Sequence, residues 1–378
     1  MRKIVYITGT RAEYGVMHSI LKAIKDHPKL KLSLVVTGMH LSKRLGYTID
    51  EIKKDGFKID AIVDAQIKKM DNYEMAQSMG FCIVGITKSL RKLKPDILLL
   101  EGDRGETLAG AIVGAHLNIP IVHISGGDIS GSIDNSIRKA ITNFAHIHLA
   151  NTPESARRIL KIGEQPWRIK MVGALGLDYK LKDLILAKEL TSALAFDLKK
   201  PIILVVQHSV TGESKCAGPQ IKKTLDAILQ LKQQTILFYP NADAGSREMI
   251  KVIEKYRKYN FIKIFKSLSR REFLGLMAMS DVMVGNSSAG LVEAPMFNLT
   301  VVNIGSRQQG RERAKNIIDV GYDTKKIYQT ALKILSNRKK YKAQKIKTPY
   351  RDADTTKKVI EVLLKLKINP KLLNKYGR

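Results

Sequence analysis

A run of small and hydroxyl-bearing residues is the strongest chemical signal in the sequence. The run, Gly-Asn-Ser-Ser-Ala-Gly at 285–290, contains Ser287 and Ser288, follows a short apolar segment that we interpret as a buried strand, and precedes a predicted helix that begins at Leu291. A helix N-terminus presents free backbone N–H groups and the positive end of the helix dipole, which attract phosphate. The loop therefore predicts a site for a nucleotide diphosphate. Glu293, in the first turn of that helix, is placed to accept hydrogen bonds from a ribose diol.

Basic and amide side chains that suit a nucleotide follow other predicted strands. Arg11 follows the first strand and can pair bidentately with phosphate oxygens, although an arginine that caps a neighbouring carboxylate fits this loop equally well. His208 can donate to a diphosphate, or it is a loop histidine without a role. Asn241 can contact a base edge through its amide, or it forms an Asx turn. Arg307 adds a positive charge around a glycine-rich loop.

Acidic side chains gather after strands of the first half. The segment 101–106, Glu-Gly-Asp-Arg-Gly-Glu, contains Asp103 beside Arg104, and Asp103 can alternatively be a helix N-cap. Asp128 and Asp134 lie on either side of the entry to a predicted helix, next to a Gly-Gly turn that permits close approach of a substrate.

Composition limits the class of protein. The chain has 378 residues, of which 44% are hydrophobic and 26% charged, as expected for a folded protein with two domains. Its two cysteines match no disulfide framework and no metal-ligand spacing, and the sequence lacks dinucleotide and P-loop motifs. We therefore expect no metal and no cofactor. The first residues lack a signal-peptide pattern and no apolar run reaches membrane-spanning length, so a cytoplasmic protein without membrane contact is expected.

The formal net charge of +30 raises the question of nucleic-acid binding. The basic residues are spread along nearly every predicted helix, and no zinc-finger, RNP or recognition-helix pattern accompanies them. A lysine-rich surface is the favoured interpretation, so we expect no nucleic-acid partner. The positive potential would still help to collect an acidic nucleotide substrate.

Short β-rich runs alternate with amphipathic helices along the chain, which predicts parallel βαβ units. We predict an α/β fold with two Rossmann-like, doubly wound domains that face each other across a cleft. The N-terminal domain spans residues 1–180 and carries the catalytic side, and the C-terminal domain spans 181–354 and carries the nucleotide side. A charged helical connection is expected at 180–200, and a C-terminal helix within 355–378 is expected to pack back on the first domain. The predicted strands are residues 3–8, 32–37, 59–63, 97–101, 121–125, 147–150, 171–173, 202–207, 235–239, 262–265, 282–284 and 300–304.

Seven motifs in order carry a resemblance to a known family. They are Thr8-Gly9-Thr10-Arg11-Ala12-Glu13-Tyr14, Gly102-Asp103-Arg104, Ser130-Gly131-Ser132-Ile133-Asp134 with Ser136-Ile137-Arg138, Gln207-His208, Pro240-Asn241 with Asp243-Ala244-Gly245-Ser246, Gly285-Asn286-Ser287-Ser288, and Gly305-Ser306-Arg307-Gln308 with Gly310-Arg311-Glu312. On these motifs nearly the whole chain resembles the hydrolysing UDP-N-acetylglucosamine 2-epimerases of sialic-acid and related nonulosonic-acid pathways. Non-hydrolysing epimerases share the fold, but their first loop resembles Gly-Thr-Arg-Pro-Glu, so Ala12-Glu13-Tyr14 favours the hydrolysing branch.

The resemblance implies a GT-B fold with the active site between the domains, a nucleotide-sugar substrate, no nicotinamide, and a homodimer or homotetramer. It implies that the substrate is held by Arg11, Arg104, Asn241, Ser287, Ser288, Glu293 and Arg307, with Asn241 near the base, Glu293 at the ribose, and Arg11, Arg307 and the two serines near the diphosphate. Asp103, Asp134 and His208 are the implied catalytic residues, the carboxylates at the reacting sugar and the histidine beside the diphosphate. One of the two carboxylates would remove the C2 proton.

The implied reaction converts UDP-N-acetylglucosamine, or a related UDP- or GDP-linked 2-acetamido sugar, to a free N-acetylmannosamine-type sugar and the nucleotide diphosphate. It proceeds by elimination to a 2-acetamidoglucal and addition of water. Ser125 departs from the family, which often has glutamate or histidine there, and this departure indicates a branch that acts on a modified sugar such as a 2,4-diacetamido sugar or on a GDP-linked one. A non-hydrolysing epimerase and a GT-B glycosyltransferase with a UDP-sugar donor remain the alternatives.

Overall fold

Two parallel sheets organise the molecule. The computed structural model describes residues 1–178, 189–190, 194, 196–350 and 354–375. In the first sheet seven strands run in the order β3-β2-β1-β4-β5-β6-β7, and every neighbouring pair is parallel. These strands are β1 Arg2–Thr8, β2 Leu30–Thr37, β3 Ile59–Val63, β4 Ile97–Glu101, β5 Ile121–Ile124, β6 Ile147–Ala150 and β7 Ile169–Met171.

The second sheet has six strands in the order β10-β9-β8-β11-β12-β13, again all parallel. They are β8 Ile202–Val206, β9 Gln234–Phe238, β10 Ile262–Phe265, β11 Val282–Gly285, β12 Thr300–Ile304 and β13 Ile317–Val320. The central strands of both sheets are continuous apolar runs because helices cover both faces, and β8 is buried along its whole length.

Helices form the outer layers. They are α1 Arg11–Asp26, α2 Ile49–Lys54, α3 Asn72–Leu93, α4 Gly105–His116, α5 Ile133–Phe144, α6 Pro153–Lys161, α7 Ala217–Leu231, α8 Ser246–Glu254, α9 Arg270–Met279, α10 Ala289–Val292, α11 Thr324–Ser336, α12 Arg338–Lys342, α13 Thr355–Lys365 and α14 Pro370–Leu373. In the first unit α1 and α13 cover one face of the sheet, whereas α3, α4 and α5 cover the other. In the second unit α7, α8 and α11 cover one face and α9 the other.

The strand order reverses once in each sheet, and this reversal determines where a ligand fits. The chain moves outward from β1 toward β3 and then returns to β4 on the other side of β1, and the second sheet does the same at β8 and β11. The loops after two such strands diverge in opposite directions and leave a crevice at the carboxyl edge of the sheet. The loops after β1 and β4 therefore face those after β8 and β11.

The sequence placed most strands correctly and missed three elements near the end of the second unit. Strand β13 lies at the edge of the sheet and exposes Asp319, so its pattern is too polar to be recognised as a strand. The helices α11 and α12, which follow it, were also missed. The last strand of the first unit is β7, two residues before the predicted 171–173. The predicted connection at 180–200 lies largely outside the described residues.

The helix predicted from Leu291 onward is wrong in extent. The α-helix here is α10, which ends at Val292, and a 3₁₀ turn over Ala294–Phe297 follows it. Pro295 lacks a backbone N–H and disfavours helical geometry in the residue before it, so the α-helix cannot continue. Glu293 consequently lies after the helix and not in its first turn.

The C-terminal helices contact the first unit. Val359, Leu363 and Leu372 are buried in the same core as α1 and the strands beneath it. Arg168, just before β7, is also buried and donates hydrogen bonds to the carbonyl oxygens of Leu372 at 2.8 Å and Lys371 at 2.9 Å. The chain thus crosses back from the second unit and completes one layer of the first. None of the helices described here is long and apolar enough to cross a membrane.

We expect Leu363→Ala to lower the free energy of unfolding by about 2–5 kcal/mol, because Leu363 is fully buried between α13 and the first sheet and its truncation leaves a cavity. Urea denaturation monitored by circular dichroism measures the change. Leu332→Ala on α11 is the matched control, since Leu332 is 41% exposed and the same truncation there should cost less than about 0.5 kcal/mol. Equal losses for the two variants would show that α13 does not contribute to the core.

Candidate functional site

One cavity lies between the carboxyl edges of the two sheets, and nine of the ten predicted site residues line it. These are Arg11, Asp103, Arg104, His208, Asn241, Ser287, Ser288, Glu293 and Arg307. Asp134, the tenth, is not part of the lining. It is buried directly behind Arg307, with its Oδ2 3.3 Å from Nη2 of that arginine. The structure therefore brings all ten residues together. Nine line the cavity, and Asp134 contacts one of these nine, Arg307.

Arg11 is the first residue of α1, and its guanidinium reaches across the cleft. Its Nη1 donates to the carbonyl oxygen of Lys266 at 3.4 Å, and its Cζ lies 5.5 Å from the centre of the Phe238 ring. Among the described residues no carboxylate forms an ion pair with it. The alternative of a carboxylate-capping arginine is therefore wrong, and the positive charge of Arg11 is available to the cavity.

The loop after β4 is held so that Asp103 points into the cavity. His123 Nε2 donates to the carbonyl oxygen of Gly102 at 2.8 Å, and Gly102 has a φ of +77°, which a residue with a side chain rarely adopts. The Asp103 carboxylate accepts a hydrogen bond from the Arg138 guanidinium. Arg104, not Asp103, occupies the N-cap position of α4, so the N-cap interpretation of Asp103 is wrong.

Arg104 crosses to the second unit. Its Nη2 lies 2.6 Å from Oδ1 of Asp243, and both side chains are nearly buried. The pair is thus part of the interface between the two units as well as of the cavity wall.

His208 is a neutral hydrogen-bond donor in this environment. Burial, reinforced by the charge of Arg307 and Arg104, holds the pKa of the His208 imidazole well below its ordinary value. Its Nδ1 accepts a hydrogen bond from the backbone N–H of Asn241 at 3.2 Å, so we assign the single proton to Nε2. The side-chain amide of Asn241 makes no hydrogen bond within the described residues, and an Asx turn is therefore not formed.

The loop after β11 depends on Gly285. This residue has a φ of +136°, and a Cβ atom there would lie 2.1 Å from the carbonyl oxygen of Val206. Asn286 Oδ1 accepts from the backbone N–H of His208 at 2.7 Å and so links the loops after β8 and β11. Ser287 Oγ accepts from the N–H of Ala289 at 3.3 Å, whereas the Ser288 side chain caps no N–H group of the short α10.

Glu293 forms a buried ion pair with Arg270, with Oε1 2.7 Å from Nη1. The same arginine donates through Nη2 to the carbonyl oxygen of Gly176 in the first unit, at 3.1 Å. The carboxylate therefore lines the cavity in a fixed orientation, although it does not belong to a helix N-terminus as the sequence predicted.

Several side chains of the cavity were not proposed as site residues from the sequence: Glu13, Glu101, Ser125, Arg138, Asn151, Asp128, Arg270 and Arg311. Asp128 is the most heavily bonded of them, since it accepts from Ser155 Oγ at 2.6 Å, Asn151 Nδ2 at 3.0 Å and Arg311 Nη2 at 3.1 Å. The sequence carried a signal for some of them, since Asp128 was noted beside the Gly-Gly turn and both Arg138 and Arg311 belong to the motifs of the resemblance. Within the described part of the chain, no group of three or more His, Cys, Asp or Glu side chains is arranged to hold a metal ion.

The two units are in direct contact beside the cavity. The backbone N–H of Gly131 donates to the carbonyl oxygen of Arg307 at 2.9 Å, and the Arg158 side chain pairs with Glu312. A Cβ atom on Gly131 would lie 2.1 Å from the carbonyl oxygen of Ser306, so the approach at this point requires glycine. These contacts describe a closed cleft.

Comparison with known proteins agrees with this geometry. A crystal structure of UDP-GlcNAc 2-epimerase from Neisseria meningitidis bound to UDP-GlcNAc superimposes with a TM-score of 0.80, at 19% sequence identity over 96% of this chain and 100% of that one. The two facing parallel-sheet units are thus a GT-B-like fold. Residues 22–364 match the UDP-N-acetylglucosamine 2-epimerase family, and the chain belongs to that family.

Two curated relatives are similar over most of their length. The chain is 39% identical to the hydrolysing UDP-N,N'-diacetylbacillosamine 2-epimerase of Legionella pneumophila over 376 residues, which is 99% of each chain. It is 34% identical to the UDP-N-acetylglucosamine 2-epimerase of Neisseria meningitidis serogroup B over 329 residues, 87% of this chain and 86% of that one.

We expect Gly131→Ala to lower the affinity for UDP roughly 5–150-fold, because the added methyl group forces the two units apart at a cost of about 1–3 kcal/mol. Isothermal titration calorimetry with UDP measures the effect. Gly80→Ala in α3 is the control, since its Cβ would meet no atom within 4 Å and should leave the affinity unchanged. Equal affinities of the two variants would mean that the closed cleft is not the nucleotide-binding form.

Proposed function

We propose that the protein is a hydrolysing 2-epimerase that converts a UDP-linked 2-acetamido sugar to the free manno-configured sugar and UDP. The supporting observation is the distribution of groups around the cavity between the two sheets. The Asp103 carboxylate of the first unit lies in one part of it, while hydroxyl, imidazole N–H and guanidinium donors of the second unit line the opposite part. Such an arrangement suits an intermediate that is positive at the sugar and a leaving group that is negative at the diphosphate.

The proposed substrate is UDP linked to a 2,4-diacetamido-2,4,6-trideoxy sugar. Support comes from the 39% identity, over 99% of both chains, with a relative whose name includes UDP-N,N'-diacetylbacillosamine. Ser125, which replaces the glutamate or histidine common in the family, is consistent with a branch that acts on a modified sugar. UDP-N-acetylglucosamine and a GDP-linked sugar are the other substrates to be compared.

The diphosphate is proposed to bind Arg11, Arg307, His208 and the hydroxyl groups of Ser287 and Ser288. Arg307 Nη2 lies 3.3 Å from Asp134 Oδ2, which is long for a charge-assisted hydrogen bond. A diphosphate offers Arg307 a more highly charged partner. Its binding would therefore weaken the contact with Asp134 and leave that carboxylate free for the sugar.

Nucleotide recognition is proposed for the remaining predicted residues. Asn241 has a free side-chain amide at the cavity surface, which suits the base, and Glu293 is held by Arg270 as an acceptor for the ribose hydroxyls. Arg104 is proposed to line the substrate cavity while its ion pair with Asp243 keeps the units together.

The reaction begins with cleavage of the anomeric C–O bond, because the C2 hydrogen has no neighbouring carbonyl group that makes it acidic. As the diphosphate leaves, positive charge develops at C1 and the ring oxygen, and the C2 hydrogen becomes acidic. Asp103, fixed by Arg138, and Asp134 are the two proposed carboxylates, one as general base and the other as electrostatic stabiliser. The products of this step are UDP and a 2-acetamidoglucal.

The second step adds water across the C1–C2 double bond with the opposite configuration at C2. The closed cleft limits access of bulk water until elimination is complete. Nothing in the proposal requires a cofactor. The dimeric or tetrameric state, the cytoplasmic location and the domain boundaries at 180 and 354 stay predictions from the sequence.

We expect the purified protein, incubated in D₂O, to release UDP from UDP-2,4-diacetamido-2,4,6-trideoxyglucose and to form the free manno-configured sugar with deuterium at C2. Proton NMR monitors the reaction, and parallel incubations with UDP-N-acetylglucosamine and GDP-N-acetylglucosamine define the substrate. Release of UDP without an acceptor would distinguish this activity from glycosyl transfer. Interconversion of UDP-linked sugars without release would identify a non-hydrolysing epimerase instead.

We expect Asp134→Asn to lower turnover by roughly 10²–10⁴-fold, because the amide cannot accept a proton or balance the developing positive charge. UDP affinity should not fall, since Asp134 is not a proposed nucleotide contact and the diphosphate no longer competes with a carboxylate for Arg307. Turnover is measured by UDP release and affinity by calorimetry. Asp50→Asn, at a side chain 56% exposed on α2, is the control with full turnover. Near-normal turnover of Asp134→Asn would remove Asp134 from the mechanism.

A further inference from the structure

Glu101 is a carboxyl group of the cavity to which the mechanism above gives no task. It is the last residue of β4, beside Ile124 of the neighbouring strand β5, and its side chain lines the same surface as Asp103. Because it ends a central strand near the reversal of strand order, its carboxyl group reaches the sugar side of the cavity.

Glu101 and Asp103 lie two residues apart but have opposite electrostatic surroundings. The guanidinium of Arg138 donates to the Asp103 carboxylate and, through Nη1, to the carbonyl oxygen of Asp128 at 3.0 Å. Among the described residues no basic group forms an ion pair with Glu101. Two carboxyl groups in such different environments adopt different protonation states, and this difference separates an acid from a base.

The hydrogen bonds around Ser125 are complete only if Glu101 carries a proton. Ser125 Oγ lies 3.1 Å from Glu101 Oε1 and 3.4 Å from Asn151 Oδ1. Asn151 cannot present its amide N–H instead, because its Nδ2 donates to the Asp128 carboxylate at 3.0 Å. A hydroxyl group has one hydrogen and cannot donate to two acceptors. With a protonated Glu101, the carboxyl O–H donates to Ser125, and Ser125 donates to Asn151.

The backbone of Ser125 is held in a conformation that suits this chain of hydrogen bonds. Its φ is +65°, which costs about 1–2 kcal/mol for a residue with a Cβ atom. Its backbone N–H donates to the carbonyl oxygen of Leu149 at 3.1 Å. Backbone strain of this size persists only where contacts with the surrounding residues enforce the conformation, and such positions cluster at active sites.

On the basis of the proposed function, we propose that Glu101 is the acid that protonates C2 of the 2-acetamidoglucal in the hydration step. The glucal is a neutral enol ether, and it accepts a proton from a neutral acid, not from a carboxylate. Asp103 or Asp134 then removes the proton in the elimination step. Glu101, which has no basic ion-pair partner among the described residues, donates the proton in the hydration step.

The bonds and charges of this step balance. The O–H bond of Glu101 breaks, and its proton forms a new C–H bond at C2 with the π electrons of the double bond. Positive charge then resides on C1 and the ring oxygen. A water oxygen bonds to C1 and passes a proton to whichever of Asp103 and Asp134 did not take up the C2 proton during elimination. When the cleft opens, Glu101 regains a proton from solvent and the two aspartic acids release theirs.

The surrounding charges support the same protonation state. Burial and the Asp103 charge raise the pKa of Glu101 to about 8, while the Ser125 hydroxyl and Arg138 oppose the shift. Asp128 on the loop after β5 raises it further, and Glu13 and Tyr6 face it from the first strand and helix. A donor must be protonated, so the hydration rate should be constant below this pKa and fall as the pH rises through about 8.

Glu13 is the other buried carboxyl group at this end of the cavity, and its contacts exclude it as the donor. Burial and the nearby Glu101 raise its pKa well above the ordinary value. However, Oε1 accepts from the Tyr6 hydroxyl at 2.8 Å, and Oε2 accepts from the N–H of Gly9 at 3.3 Å. Both oxygens are thus engaged inside the first unit.

The experiment compares wild type with Glu101→Gln in two assays. The first follows UDP and sugar products from UDP-2,4-diacetamido-2,4,6-trideoxyglucose and from UDP-N-acetylglucosamine by NMR. The second supplies the matching synthetic 2-acetamidoglucals together with UDP and measures hydration between pH 6 and about 10, which spans the expected titration of Glu101. Glu248→Gln, at an exposed side chain on α8, is the matched control.

We expect Glu101→Gln to release UDP and accumulate the 2-acetamidoglucal, and to hydrate the supplied glucal about 10²–10⁴-fold more slowly than wild type. Hydration at the wild-type rate, or an equal loss of elimination and hydration, would overturn the role of Glu101 and leave the proposed function standing. Wild-type protein that releases no UDP from either sugar would instead overturn the proposed function.

Ser125→Gly provides a second test that does not remove the carboxyl group. Glycine accepts the φ of +65° without strain, so the fold is expected to persist. Once Glu101 is ionised, the Ser125 hydroxyl donates to its carboxylate, and this hydrogen bond lowers the pKa of Glu101, so removal of the hydroxyl should move the alkaline fall in hydration rate to higher pH. If the hydration rate falls at the same pH in wild type and in Ser125→Gly, the assignment of Glu101 as the acid is contradicted.

Discussion

Arginine–carboxylate pairs connect the loops around the cavity, and most of the site's properties follow from how the guanidinium groups are distributed. The pairs are Asp103 with Arg138, Asp134 with Arg307, Asp128 with Arg311, Asp243 with Arg104, and Glu293 with Arg270. Three of the five join the first unit to the second. Buried pairs of this kind add little net stability, because desolvation offsets the attraction, but an unpaired charge in the same place is strongly unfavourable. The pairs therefore define the geometry of the closed cleft.

The same distribution separates the protonation states of neighbouring groups. Carboxyl groups that have an arginine accept charge-assisted hydrogen bonds, whereas Glu101, for which the described residues provide no basic ion-pair partner, is surrounded by a hydrogen-bond pattern that requires a proton. His208 lies among three arginines, so it cannot add another positive charge and acts through a neutral N–H. Comparison with the motifs of the family shows that this chain has a serine at position 125, where the family often has a glutamate. In the folded protein the hydroxyl of Ser125 instead contacts the carboxyl group of Glu101 from the adjacent strand.

Parallel sheets make this assembly possible. Each unit directs the carboxyl ends of its strands toward the other, and the reversal of strand order opens a crevice in each. Glycines allow close approach at two places: Gly285, where the loop after β11 touches β8, and Gly131, where the units meet. The return of α13 to the first sheet adds a second covalent crossing between the units, which restricts the path along which they can separate.

Most of the fold could be predicted from the sequence because the central strands of a parallel sheet are apolar along their whole length and are separated by helices of regular period. The exceptions have local causes. Strand β13 carries an exposed aspartate at the edge of its sheet, and Pro295 ends a helix that hydrophobic pattern alone would extend. Placement of polar residues directly after strands accounts for eight of the nine predicted residues that line the cavity, and Glu293, beyond α10, is the exception.

Only the tertiary structure decided which of those residues are neutral, which are ionised and which are partners. Arg138 lies 35 positions from Asp103, Arg307 lies 173 positions from Asp134, and Asn151 lies 26 positions from Ser125. Charge state depends on the distance to another charge and on exclusion of water, and neither quantity is a property of a local pattern. The sequence by itself determined the strands, the loops that follow them and the polar residues on those loops. The packing of the two units determined the chemistry that those residues can perform, because it places residues from distant segments within hydrogen-bonding distance.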